Sequence, residues 1–131
     1  MKEPVWFEER DALALHDRIL ALHGGAAGVR DIGLLRSALA RPRQIFAHGE
    51  NLGIIEMAVA YLGGIVRHHP FVDGNKRTAF VAGILFLEMN GYRFTASEED
   101  ATQAVLGLAA GTLDEAAFGV WLRTQLHKKR R

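Results

Sequence analysis

The chain has no cysteine among its 131 residues, so disulfides and thiol chemistry are excluded and a reducing compartment is permitted. Nor is there an excess of charge: 16 Lys and Arg stand against 15 Asp and Glu, a formal net charge of +1, which steers it to neither nucleic acid nor membrane. No apolar run approaches the roughly 18 residues that a membrane span requires. The opening MKEPVWFEER has no apolar signal core, and a cytoplasmic protein is the expectation. There is no internal repeat and no linker. What is present is ordinary globular composition, 49% hydrophobic and 24% charged, in a length that suits one domain spanning 1–131.

Helical signals dominate. FEERDALALHDRILALHGG carries Leu13, Ile19, Leu20 and Leu22 at mostly helical spacing and ends in Gly24 and Gly25, a glycine stop. After GGAAGVR, Asp31 can cap a second helix, IGLLRSALA, which Pro42 is expected to terminate. RPRQIFAHGEN then reads as a polar connector, the longest loop of the chain. From Asn51, LGIIEMAVAYLGGIVRHH is apolar on almost every side and is read as a central buried helix ended by Pro70. KRTAFVAGILFLEMN starts another near Asn75 and stops at Gly91. YRFT is read as a short strand paired with VWF near the N-terminus. Ser97 with Asp100, and Thr112 with Glu115, have the spacing of capping boxes that open two last helices. The terminal HKKRR reads as a solvated tail. The expected fold is all-α, a compact bundle of about six helices with room for a minor β-hairpin.

The segment HHPFVDGNKRTAF, residues 68–80, concentrates polar chemistry between the two most apolar helices. A helix that begins at Asn75 presents unpaired N–H groups and a partial positive charge, an anion site. Gly74 permits a tight turn and close approach of a phosphate. Lys76 and Arg77 add cationic charge there, Arg77 with a planar fork suited to phosphate oxygens. Asp73 can hold a divalent cation that bridges phosphate oxygens; the alternative is a helix cap or an ion pair with Arg77. His69 can take a proton from a hydroxyl at cellular pH; the alternative is a helix-end residue facing the dipole. Phe71 is expected to plug the core and anchor the loop. A transition-metal site made of His68, His69 and Asp73 is disfavoured by the intervening proline and the lack of a second cluster.

HPFVDGNKR closely resembles the active-site motif of the Fic/Doc (Fido) superfamily, His-Pro-Phe, any residue, Asp or Glu, Gly-Asn, Gly or Lys, Arg. LALHDRILALHGG…GVRDIGLLRSALARP before it and GILFLEMNGYRF after it are similar to the death-on-curing (Doc) branch over nearly the full length. The resemblance implies a Fido-type bundle in which His69 is the general base for a target hydroxyl and Asp73 binds Mg2+. It implies that Gly74, Asn75 and Arg77 hold the phosphates of ATP, with Lys76 and Arg77 counted beside His69 as catalytic. Arg67, two residues before His69, is added as a candidate phosphate contact, and His68 as a helix-end or supporting residue. AMP-transferring members carry a second glycine where this chain has Lys76 and a further arginine where it has Phe80. Both departures match the Doc branch, in which ATP binds reversed and the γ-phosphate is transferred.

The resemblance therefore implies a protein kinase that phosphorylates a translation factor, elongation factor Tu being the expected substrate, and arrests translation as the toxin of a toxin–antitoxin pair. AMP transfer by the same site and a non-catalytic interaction module are the alternatives. The inhibitory string of many relatives, Ser or Thr, three residues, Glu, then Gly or Asn, is missing; the nearest, Thr95 to Glu99, is followed by Asp100. A separate Phd-like antitoxin with a disordered tail is the implied brake, with the first helix and the stretch around Ile45 and Phe46 as its expected receptor. The alternative for those two residues is that they cap the core.

Overall fold

The structure, a computed structural model, describes residues 2–48 and 53–129. Six helices follow one another among the described residues: α1 (Glu9–His23), α2 (Ile32–Ala47), α3 (Ile54–His68), α4 (Asn75–Met89), α5 (Glu98–Ala110) and α6 (Glu115–Thr124). One antiparallel hairpin joins β1 (Tyr92–Phe94) to β2 (Leu126–Lys128). The expected all-α bundle with a minor hairpin is the fold observed.

α3 is the axis. Ile55 and every residue from Met57 to Val66 are buried, as its nearly unbroken apolar sequence requires of a helix enclosed by others. α2 and α4 flank it at close range because small residues meet at the crossings. A Cβ on Gly64 would lie 3.1 Å from the Ala38 Cβ, and one on Gly83 would lie 3.3 Å from the Ala58 carbonyl oxygen. Tyr61 and Phe86, both fully buried, fill the space towards the N-terminus with ring centroids 4.9 Å apart.

Four expectations are corrected. Pro42 does not end α2, which continues to Ala47. Proline in a helix removes one backbone donor, but Pro42 is itself buried and the extra turn packs Ile45 and Phe46 against the core, so tertiary packing outweighs local propensity. Those two residues are thus core caps, with Phe46 edge-on to Trp6 at 5.8 Å. The connector shrinks accordingly; Gly49, Glu50 and Asn51 lie outside the described residues. β1 pairs not with VWF but with the C-terminal segment, in the register Tyr92↔Lys128 and Phe94↔Leu126. The VWF segment is nearby but engaged otherwise: the Asn90 side chain accepts from Val5 N–H at 2.8 Å and donates to Val5 O at 2.9 Å, and Trp6 stacks on Phe86. The C-terminal stretch is therefore a strand and not a free tail up to Lys128, with Arg130 and Arg131 outside the described residues. Finally, α6 is capped by Asp114, whose carboxylate accepts from Ala117 N–H at 2.8 Å. Thr112 instead donates to Gly107 O at the end of α5. Ser97 and Asp31 cap α5 and α2 as their spacing predicts.

Tyr61 gives the bundle an alkaline limit. Its hydroxyl oxygen accepts from Phe7 N–H at 3.2 Å, and burial pushes its ionisation from 10.0 up to about 12. The unfolded phenol ionises first, so the stability this side chain contributes is complete below pH 10 and is lost as the pH rises from 10 to about 12. Two units correspond to about 2–3 kcal/mol. Tyr61→Phe should start less stable at neutral pH, because the Phe7 N–H loses its acceptor, yet lose less across that window in urea titrations. Parallel decline of the two proteins would show that Tyr61 does not control the alkaline limb.

Candidate active site

The last turn of α3 delivers the motif. His68 ends the helix, and His69 closes it in a left-handed conformation, φ 47° and ψ 56°, with its N–H donating to Ile65 O at 3.1 Å. Proline at 70 then bars continuation. Phe71 turns into the core, 1% exposed, and its ring stacks on the imidazole of His16 with centroids 3.9 Å apart and planes 11° from parallel.

Asn75 locks the turn. Its Oδ1 accepts from Phe71 N–H at 3.0 Å and its Nδ2 donates to Phe71 O at 2.9 Å. The side chain expected on phosphate is thus occupied with loop structure, and what Asn75 offers a ligand is its backbone N–H. Gly74, at φ 76°, forms the turn into α4, and no side chain caps that helix. The uncapped first turn, residues 74–77, lines a cleft of about 750 Å³ together with His69 and Asp73. Among the described residues neither Lys76 nor Arg77 has a carboxylate within 4.0 Å, so both cations add to the field at the helix start.

The glycine-rich stretch between α1 and α2 holds this loop from outside. Ala26 N–H donates to Asp73 Oδ2 at 3.1 Å, Val72 N–H to Gly28 O at 3.0 Å, and Arg30 and Asp31 N–H to Pro70 O at 2.7 and 3.0 Å. A side chain at Gly25, φ 122°, would meet Asp73 Oδ2 at 2.9 Å, so the approach needs glycine. Asp73 Oδ1 also accepts from Gly74 N–H at 2.8 Å. These bonds, that from Ala26 foremost, hold the Asp73 carboxyl below the usual carboxylate range. His16, 2% exposed, places Nε2 at 2.8 Å from Asp73 O and therefore donates to it.

The opposite wall comes from elements further along the chain: Phe80 and Val81 of α4, Phe94 of β1, and Val105 and Leu106 of α5. The motif side of the cleft is polar and cationic, and the remainder is mostly apolar, with Glu98 and Thr102 of α5 and His23 of α1 also on the lining.

The candidates from the sequence divide cleanly. His69, Asp73, Gly74, Asn75, Lys76 and Arg77 are brought together. His68 is not on the cleft, which selects His69 of the two. Arg67 is not there either; its guanidinium pairs with Glu115 of α6, and its Nε donates to Gly63 O at 3.4 Å. Asp73 makes no ion pair with Arg77, and its own backbone bonds replace that alternative. His16, His23, Gly25 and Arg30 escaped the sequence reading. Their signals were the density of glycine in GGAAGVR, a composition that also serves any flexible turn, and their place in the stretch similar to the Doc branch, neither of which assigns them a role.

Comparison with known proteins places this geometry. The model of the Fic/DOC family matches residues 6–87, which include α1 to α3, all but the last two residues of α4, and the motif side of the cleft. The chain is 34% identical over 113 residues to "Protein kinase doc" of Escherichia phage P1, covering 86% of this chain and 89% of that protein. It is 42% identical over 74 residues to "Toxin Doc" of Mycolicibacterium smegmatis, covering 56% and 57%. With an extensive match to the family model and to a relative over most of both lengths, the chain belongs to the Fic/DOC family.

Proposed function

We propose that this protein is an ATP-dependent phosphotransferase that phosphorylates a hydroxyl side chain of another protein. The observation that carries the reading is the joining, in one cleft, of an uncapped helix start, two cations without a carboxylate partner among the described residues, a carboxylate held ionised, and His69 at the end of α3. A polyphosphate suits the first two features. Asp73 suits Mg2+, which takes one or two carboxylates and completes its shell with substrate oxygens and water. No group of three or more protein ligands exists among the described residues, so a metal here would arrive with the nucleotide and not as a resident ion. Bound there, Mg2+ would neutralise charge on the phosphates.

His69 accepts the proton of the target hydroxyl as its oxygen forms a bond to the γ-phosphorus. The bond from that phosphorus to the β,γ-bridging oxygen breaks, and ADP leaves with the electron pair. Arg77, Lys76 and the N–H groups of 75–77 hold the charge that shifts between phosphates. Lys76 and Phe80, in place of the glycine and distal arginine of AMP-transferring members, favour this direction, and so does the similarity to a relative named as a protein kinase. The expected substrate is elongation factor Tu, with translation arrest as the consequence and the cytoplasm as the location; no described helix is long and apolar enough to cross a membrane.

Incubation with Mg-ATP and elongation factor Tu should add the mass of one phosphate to the target. His69→Ala should lower that rate by about 10²–10⁴-fold while the protein still unfolds cooperatively. A gain of AMP would replace the kinase reading by adenylyl transfer, and no gain on any protein of a cell extract would leave an interaction module.

The two phosphate-side groups should separate in binding. Arg77→Ala should weaken ATP by tenfold or more in calorimetry, as befits a charge-assisted contact of about 1.5–3 kcal/mol. Asp73→Ala should retain ATP binding without Mg2+ and lose the increment that Mg2+ adds. Equal effects of Mg2+ on wild type and Asp73→Ala would remove Asp73 from the metal site.

The relative named as a toxin and the missing inhibitory string support control by a separate Phd-like antitoxin. Ile45 and Phe46 are spent on the core, so the receptor proposed for its tail moves to the exposed part of α1, where Leu22 is 67% exposed. Expression of the chain alone should arrest bacterial growth, and a neighbouring antitoxin gene should restore growth and co-purify. Unimpeded growth with soluble, intact protein would count decisively against the toxin role.

A further inference from the structure

We propose that Arg30 is the positioning residue for His69, holding the base in the one backbone conformation that turns it into the cleft. The inference rests on the reading of His69 as the base.

Arg30 grips three successive carbonyls. Its Nη2 donates to His68 O at 2.7 Å and its Nε to His69 O at 2.7 Å, while its own backbone N–H donates to Pro70 O at 2.7 Å. The first two carbonyls belong to the C-terminal end of α3, the negative pole of that helix, where a guanidinium is favoured by the dipole as well as by the charge-assisted bonds. The planar fork matters, since two neighbouring oxygens must be reached at once.

The grip is applied where the chain is least willing. His69 is the one described non-glycine residue with positive φ, 47°, and it precedes proline, which drives the preceding residue towards extended backbone. Relaxation of residue 69 to that preference would redirect its Cβ and swing the imidazole away from the line set by α3. The bond from His69 N–H to Ile65 O at 3.1 Å is an ordinary helix closure and leaves the following carbonyls free to rotate. Arg30 fixes those carbonyls. It is absent from the cleft lining, so its reach into the cleft passes through the histidine whose carbonyl it holds.

The test compares Arg30→Ala and Arg30→Lys with wild type. In Arg30→Ala, kcat should fall by about 100-fold, the cost of a misplacement of roughly 1 Å, while the calorimetric affinity for Mg-ATP stays within about threefold. Guanidinium ion at millimolar concentration should restore part of the lost kcat in this variant and none in wild type. Arg30→Lys, with a point charge in place of the fork, should recover less than a tenth of wild-type kcat. Wild-type kcat in Arg30→Ala would overturn the proposal. So would a loss of kcat that follows a loss of ATP affinity and melting temperature without guanidinium rescue, since that is a purely structural role. A second readout is independent of any activity. The HN–Hα coupling and the Cα chemical shift of residue 69 should report left-handed backbone in wild type and extended backbone in Arg30→Ala. A left-handed signature retained in folded Arg30→Ala overturns the inference even if phosphotransfer itself is never observed, whereas its loss upholds the inference whichever group is transferred.

Discussion

The site depends on the hydrogen bonding of one loop to another. Residues 68–73 leave α3 and reach α4 across a turn too short to make any secondary structure of its own, and their carbonyls and N–H groups are answered by the stretch from Ala26 to Asp31. Backbone groups in such a position must be paired or hydrated. Here pairing also fixes direction, because Val72 N–H, Pro70 O and the Asp73 carboxylate are each committed to a particular partner. His16 and Asn75 complete the framework from within, one at Asp73 O and the other at both polar atoms of Phe71. His69 and Asp73, the proposed base and the proposed metal-binding carboxylate, four residues apart, are thereby held without a rigid element between them.

That arrangement transmits constraint to the helices. Since the loop is fastened to the C-terminal end of α1 and the N-terminal end of α2, a shift of either helix would move His69 relative to Asp73. The close crossings at Ala38 with Gly64, and at Ala58 with Gly83, oppose such shifts, because interiors packed to this density do not deform continuously. The core is thus part of the site's precision as well as the source of stability.

The sequence disclosed elements whose signals are local. Glycine stops, the Asp31 cap, the apolar α3 and the polar motif depend on residues within a few positions of one another, and each is found where its pattern puts it. What stayed hidden depends on distant partners. Pro42 inside α2 is tolerated because residues after it pack on the core. The pairing of β1 with the C-terminal segment stayed hidden because the basic composition of that segment reads as a solvated tail, while VWF reads as the strand. Arg67 looked like a phosphate ligand by its distance from His69 along the chain, but in an α-helix residues two apart face in different directions, and Glu115, 48 positions later, claims it. His16 reads as one more polar residue of an amphipathic helix until the loop that stacks on it is in place.

The two walls of the cleft also differ in origin. The motif wall, His69 and residues 73–77, lies wholly within the segment that matches the family, residues 6–87, whereas Phe94, Val105 and Leu106 follow it, with Glu98 and Thr102. A phosphate-binding turn is constrained by the reaction: donors must sit where charge appears, and few arrangements of backbone achieve it. An apolar wall faces a weaker demand, since contacts of this kind are non-directional and many side chains satisfy them. In the proposed enzyme, substrate choice is accordingly easier to alter there than at the motif, by changing volume on α5 or the hairpin without disturbing the bonds that hold His69 and Asp73. Phe80 joins the two regimes. It lies one turn along α4 from Arg77, on the cleft, and packs edge-on against Phe94 at 5.4 Å, so the position at which AMP-transferring relatives keep a cation is here committed to the apolar side. Restoring an arginine at 80 would therefore have to break an aromatic contact between α4 and the hairpin before it could offer a second phosphate clamp, and a change of chemistry by that single substitution is opposed by the packing of the wall itself.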